Sequence, residues 1–190
     1  MTSAVIAHRT LPHTALMSVL LVVSAAVLTA LAAQWRIILP FTPVPITGQT
    51  FAVLLTGAAL GWKLGAGGQL LYVAVGAMGA PVFSDRSGGV EVITGATGGY
   101  LIGFIFAAAL IGWMAEHRQD RTFAPMFTAF MLGSTLIYVF GVIGLITSVG
   151  MSLSAAVEAG VVPFLLGDLV KASAAGLVLP GAWKLLGGDR

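Results

Sequence analysis

The sequence predicts an all-α membrane protein of six transmembrane helices, with the N- and C-termini on the cytoplasmic side. Three observations carry that expectation. First, 58% of the 190 residues are hydrophobic and only 8% are charged, whereas soluble domains average about 45–50% apolar and about 25% charged. Mean hydropathy is +1.00. Second, all the charges but Asp168 and Lys171 fall between apolar runs at residues 15–33, 47–62, 64–80, 98–115, 124–147 and 161–180, of the order of length that a bilayer crossing needs. Third, with the N-terminus inside, Arg9, Lys63, Arg118, Arg121, Lys184 and Arg190 fall on the inner side, only Arg36 and Arg86 on the outer, and Lys171 lies within a span. That bias fits the positive-inside rule. The length leaves room for one domain, 1–190. The absence of cysteine excludes disulfides and thiolate metal sites, and no basic cluster points to nucleic acid.

Residues 1–14, with His8, Arg9 and His13, read as a mobile polar tail on the cytoplasmic side. The first run offers Ala26 and Ala30, with Ala25, Thr29 and Ala33 beside them, as a small-residue face on which another helix can pack closely. That face serves either internal packing or docking of a partner subunit. Arg9, the run itself and Ala30-Leu31-Ala32 also fit a cleaved secretory signal, but 19 apolar residues exceed the usual signal core of about 7–15. Between Pro40 and Pro45 three prolines forbid a regular helix. The segment from Gln34 to Thr50 is therefore an ordered, partly apolar loop, a lid or a connector.

Lys63 marks a short turn between the second and third spans, and Gly57, Gly61 and Gly65 suggest close packing across that hairpin. The next loop, from Ala80 to Thr97 and into the fourth span, is glycine-rich, with five glycines between Gly88 and Gly99. Glycines there permit turns and close backbone approach to a ligand. It is not a nucleotide loop, since no Gly-Lys-Ser/Thr follows. The charged stretch Glu116 to Arg121 reads as a solvated loop. Gly141 and Gly144 in the fifth span permit bending or close contact, and Ser152 to Glu158 read as a loop before the sixth span.

That last span holds the residues that most need explaining, Asp168 and Lys171. A charge at the centre of a spanning helix costs about 2.5–3.5 kcal/mol, so such residues face an interior and have partners. Three positions apart, they lie on one face of a helix. The carboxylate suits ligand N–H groups and the ammonium a carbonyl or carboxylate. The alternative is an interhelical ion pair that only fixes packing. Catalysis finds little support: there is no His-Glu-x-x-His pattern, no Gly-x-Ser-x-Gly elbow, and no second carboxylate at the depth of Asp168. By the charge count, the proline-rich loop, the glycine-rich loop and the start of the sixth span converge on the outer side. A binder of a small ligand with a polar head fits best. A stand-alone, ion-coupled carrier of a small acid and a ligand-free structural subunit are the alternatives.

Four stretches together resemble the BioY biotin transporter family: Pro43-Val44-Pro45-Ile46-Thr47-Gly48-Gln49-Thr50, Gly76 to Phe83, Gly88-Gly89 with Gly95 to Leu101, and Gly167-Asp168-Leu169-Val170-Lys171-Ala172. The resemblance runs in order over residues 15–185. It implies the six-helix fold of the substrate-binding S component of an energy-coupling-factor transporter, in the bacterial inner or plasma membrane. It also implies high-affinity capture of biotin from outside, no cofactor, and transport with a separate transmembrane T component and paired ATP-binding-cassette ATPases. Some members of the family are expected to work without these subunits. Asp168 and Lys171 match the residues that contact the bicyclic head. Ser87 stands where relatives often carry Asn, and with its shorter reach that contact is expected to pass to Asp85, Arg86 or water. Gln49, Phe83 and Tyr100 are the further pocket candidates, and Arg36 or Arg86 is expected to meet the valerate carboxylate. Two departures, Ala96 and Leu166 where proline is frequent, are expected to alter local stiffness. The family picture, in which the S component topples against its partner, makes Ala26 and Ala30 the docking residues.

Overall fold

The structure is a computed structural model that describes residues 5–12 and 14–186. The side chain of His8, and His13 and Arg190 from the charge count, lie outside the described residues. Among the described residues, the regular structure is helical apart from one two-residue antiparallel ladder. Its elements are α1 (Ile6–Thr10), α2 (Ala15–Ala33), β1 (Arg36–Ile37), β2 (Ile46–Thr47), α3 (Gln49–Leu60), α4 (Trp62–Ala77), α5 (Val90–Ile93), α6 (Gly98–Glu116), α7 (Phe123–Val149), α8 (Leu153–Gly160) and α9 (Leu165–Leu185).

Among the described residues, four helical stretches are long and apolar enough to cross a membrane: α2, α6, α7, and α8 running on into α9. Helix α3 has 12 residues and α4 has 16. At 1.5 Å per residue these reach roughly 18 and 24 Å, short of a hydrocarbon core of about 30 Å. The apolar surface is distributed as a bilayer requires. One face of α2 exposes Leu16, Val19, Leu20, Val23, Val27, Leu28 and Leu31, while its buried face is Ala25, Ala26, Thr29 and Ala33. Small side chains thus meet protein and large ones face outward, the arrangement expected where lipid is as apolar as leucine.

Glycines set the helix contacts. A Cβ on Gly65 would lie 2.7 Å from Gly57 Cα, so α3 and α4 touch backbone to backbone. The turn between them falls at Gly61 (φ 83°) rather than at Lys63, because only that residue adopts the left-handed backbone without cost. A Cβ on Gly99 would lie 2.2 Å from Phe140 O, and one on Gly144 2.9 Å from Gly99 Cα. Helices α6 and α7 therefore cross in near contact, and Gly144 supplies closeness rather than a bend. Within this bundle a buried polar cluster joins three helices: Gln69 of α4 donates to Thr29 of α2 (3.1 Å) and Thr56 of α3 (3.4 Å).

Four expectations are corrected. The N-terminal stretch is not simply a tail: Val5 and Ala7 are buried and α1 packs near α3. The charged loop is not fully solvated, because Asp120 is wholly buried and accepts from Trp183 Nε1 at 2.5 Å. Residues 153–160 are helical, started by Ser152, whose hydroxyl accepts from Ala155 N. The last helix runs five residues beyond Pro180, since one lost amide bond is tolerated where neighbouring contacts hold the helix.

Candidate functional site

A cavity of about 210 Å3 opens where the proline-rich and glycine-rich loops meet α3, α6, α7 and α9. Its polar end is built by α9. The i,i+3 spacing turns Asp168 and Lys171 inward together, and Lys171 Nζ lies 3.1 Å from Asp168 Oδ1. Asp168 is 1% exposed. A carboxylate this buried needs partners, and it has a second one: Tyr138 of α7 donates to its other oxygen at 2.6 Å. Lys171 donates further to Thr50 Oγ1 at 2.6 Å and to Thr47 O at 3.2 Å. The head of the cavity is thus a chain of charge-assisted bonds running from α7 through α9 to the start of α3, which fixes both side chains before any ligand arrives.

The walls come from the loops. The proline-rich segment contributes Val44, Pro45 and Thr47. It is pinned at its far end, where Thr42 Oγ1 donates to Ala159 O at 2.7 Å. The ladder sets Arg36 opposite Thr47, so the guanidinium sits on the same wall as the carbonyl that faces Lys171. From the glycine-rich loop come Phe83, Ser84 and Ser87. Phe83 is buried against Gly76, where a Cβ would lie 2.1 Å from its ring, and stands edge-on to Tyr72 at 5.4 Å. Gln49 donates to Tyr72 Oη at 2.8 Å, tying α3 to α4 beneath the loop. Tyr100 lines the cavity and donates to Gly160 O at 2.8 Å, its ring packed on Gly141.

Asp168, Lys171, Ser87, Tyr100, Phe83 and Gln49, all expected from the sequence, line this one cavity, and Arg36 lines it in place of Arg86. The Ser87 hydroxyl is turned to Ser84 O at 2.7 Å, which leaves it a smaller role than its position suggests. Leu166 is 75% exposed, so its departure from the family pattern does not reach the cavity. Ala26 and Ala30 lie elsewhere, lining a shallow apolar groove between α2 and α4. Sequence reasoning passed over Tyr138, Thr50 and Phe164. Tyr138 sits in a run with no charge to draw attention, and the single cue was a hydroxyl in the fifth span. Its pairing with Asp168 depends on how α7 registers against α9. Among the described residues, no three histidine or acidic side chains converge as a metal site.

The sequence model of the BioY family matches residues 5–188. The chain belongs to the BioY family. A relative from Thermotoga maritima named biotin transporter BioY is 40% identical over 158 residues, covering 82% of this chain and 91% of that protein. Another of the same name, from Rhizobium etli, is 35% identical over 167 residues, covering 84% and 89%. The fold is that of a solved S component for biotin from an ECF-type ABC transporter, with TM-score 0.79 at 23% identity over 89% of this chain and 92% of that one. This member of the BioY family is a multi-pass, all-helical membrane protein with the S-component fold.

Proposed function

We propose that this chain captures biotin from the outer face of a bacterial cell membrane as the S component of an energy-coupling-factor transporter. The observation that carries the reading is the buried Asp168–Lys171 pair at the end of a cavity closed by two loops, in a chain of the BioY family. The ureido ring offers two N–H donors and one carbonyl. Asp168 keeps unused lone pairs for an N–H, and Lys171, whose three donors go to Asp168, Thr50 and Thr47, turns one of them to the carbonyl. Arg36, at the loop end of the same cavity, takes the carboxylate of the valerate arm. The apolar middle of the molecule runs along Phe83, Tyr100, Leu101 and Ile137.

The chain is a transport component rather than an enzyme. No Walker sequence occurs in it, so ATP hydrolysis falls to separate ATPase subunits, joined through a transmembrane T component. The groove floored by Ala26 and Ala30 is the proposed seat of that partner. Six spans are proposed, with α3 and α4 completing the set and both termini cytoplasmic.

The deciding experiment is calorimetric titration of biotin into the full chain in nanodiscs. Nanomolar-range binding is expected for the wild type. Asp168→Asn and Lys171→Ala should each weaken it at least thirtyfold, since truncating one partner of a buried charged pair costs about 2–5 kcal/mol. Thermal unfolding of the same samples separates lost affinity from lost fold. Unchanged affinity in both variants rejects the site.

A further inference from the structure

Arg36 already holds a carboxylate. Its guanidinium is paired at 2.5 Å with Asp85, which sits in the glycine-rich loop across the mouth of the cavity. The two partners differ sharply in surroundings: the Arg36 side chain is 29% exposed and belongs to the cavity wall, whereas Asp85 is 70% exposed and does not line the cavity. The loop carries an unfavourable backbone at this pair. Asp85 and Arg86 are consecutive non-glycine residues with φ of 65° and 51°, a conformation that costs roughly 1–2 kcal/mol per ordinary residue, less for Asp.

The pair is not what holds the loops together. Gln34, on the chain leading into β1, ties them independently of it. Its side-chain nitrogen donates to Phe83 O at 3.1 Å, and its side-chain oxygen accepts from Arg86 N at 3.3 Å. The charges that matter also sort into two units. At the inner end Lys171 is matched by Asp168; at the mouth Arg36 is matched by Asp85. Replacing Asp85 by an external anion leaves this balance intact, and the freed Asp85 enters water at little cost because it is mostly solvated already.

We propose that Asp85 is a specificity-determining residue, an internal stand-in carboxylate that pairs with Arg36 and yields it to the carboxylate of the ligand. This rests on the biotin reading and adds to it. A monoanion recovers the ion pair it displaces. A neutral analogue with the same head gains nothing from Arg36 and either leaves Arg36 with Asp85 or wedges between them. The site therefore selects for an acid at the loop end, and Asp85 sets how strongly by competing for the same cation.

The test uses Asp85→Asn in the full chain in nanodiscs, titrated with biotin and, separately, with biotinamide. Removing the competitor should tighten biotin by about two- to fivefold, the range of an exposed ion pair, and leave biotinamide unchanged. Arg36→Gln should erase the difference between acid and amide. Equal shifts for both ligands in either direction, or no shift for either, would overturn the proposal; equal weakening would make the pair a strap. A wild-type chain that binds neither compound would instead overturn the biotin reading, and this proposal with it.

Discussion

At the scale of the residue, the informative group is one that carries no charge. Asp168 could be singled out because an acid in an apolar segment is costly, but what keeps it inward and oriented is shared between Lys171 and the Tyr138 hydroxyl. Tyr138→Phe removes a 2.6 Å bond to a buried carboxylate and leaves that oxygen short of a donor. Hydrogen bonds to charged groups are worth about 1.5–3 kcal/mol, so biotin affinity should fall roughly ten- to a hundredfold in calorimetric titration. Thermal stability should fall only modestly, because Lys171 still compensates the charge. Affinity equal to that of the wild type would mean that Asp168 needs no orienting from α7.

At the scale of the element, the site depends on helices that meet without side chains between them. Helices α6 and α7 touch at Gly99 and Gly144, and the next residue, Tyr100, is a wall of the cavity. Gly99→Ala would put a methyl group 2.2 Å from the Phe140 carbonyl oxygen. A backbone atom cannot swing aside, so the helices must part, at an overpacking cost of about 1–3 kcal/mol. The variant should unfold at lower temperature and bind biotin more weakly than an alanine at Gly167, where nothing lies within 4 Å of the added atom. Equal behaviour of the two variants would contradict the close crossing. Alternating apolar runs and loops made the elements readable in the sequence. Their ends were less so: α8 hid in a segment read as a loop, and α9 outran Pro180, because neighbouring contacts decide whether a short or interrupted helix persists.

At the scale of the whole molecule, polar groups gather at two ends. One is the cavity. The other joins three distant segments: Trp183 of α9 donates to Asp120 in the α6–α7 loop, Arg121 lies 3.4 Å from the other Asp120 oxygen and stacks 3.3 Å above the Trp183 ring, and Arg9 of α1 lies 5.9 Å from that ring. Burial raises the Asp120 carboxyl above its ordinary range, against the opposing pull of Trp183 and Arg121. A folded-state value above the unfolded one means that the native state holds the proton more tightly. The contribution is therefore favourable below the ordinary carboxylate pKa of about 4 and is lost as pH rises through the raised value. Asp120→Asn keeps an acceptor for Trp183 and removes the titration. Its thermal stability should vary less between pH 4 and 8 than that of the wild type and be no lower at neutral pH; parallel profiles would exclude Asp120 as the source. The chain contains no cysteine, so single cysteines also test the six-span topology. Glu158→Cys should react with an impermeant maleimide in intact cells, and Gln119→Cys only after lysis, both positions being exposed.

The sequence by itself determined the membrane class, the family resemblance and the identity of the acid and base, because these follow from composition, local order and the cost of charge in an apolar span. Six of the seven residues it named for the pocket line one cavity. Three things waited for the tertiary structure: the hydroxyl that holds Asp168, the choice of Arg36 over Arg86, and the pairing of Arg36 with Asp85. Each joins groups far apart in the chain, 30 residues for Tyr138 and Asp168. Such distances are set by how helices cross and loops fold back, and no local pattern records them.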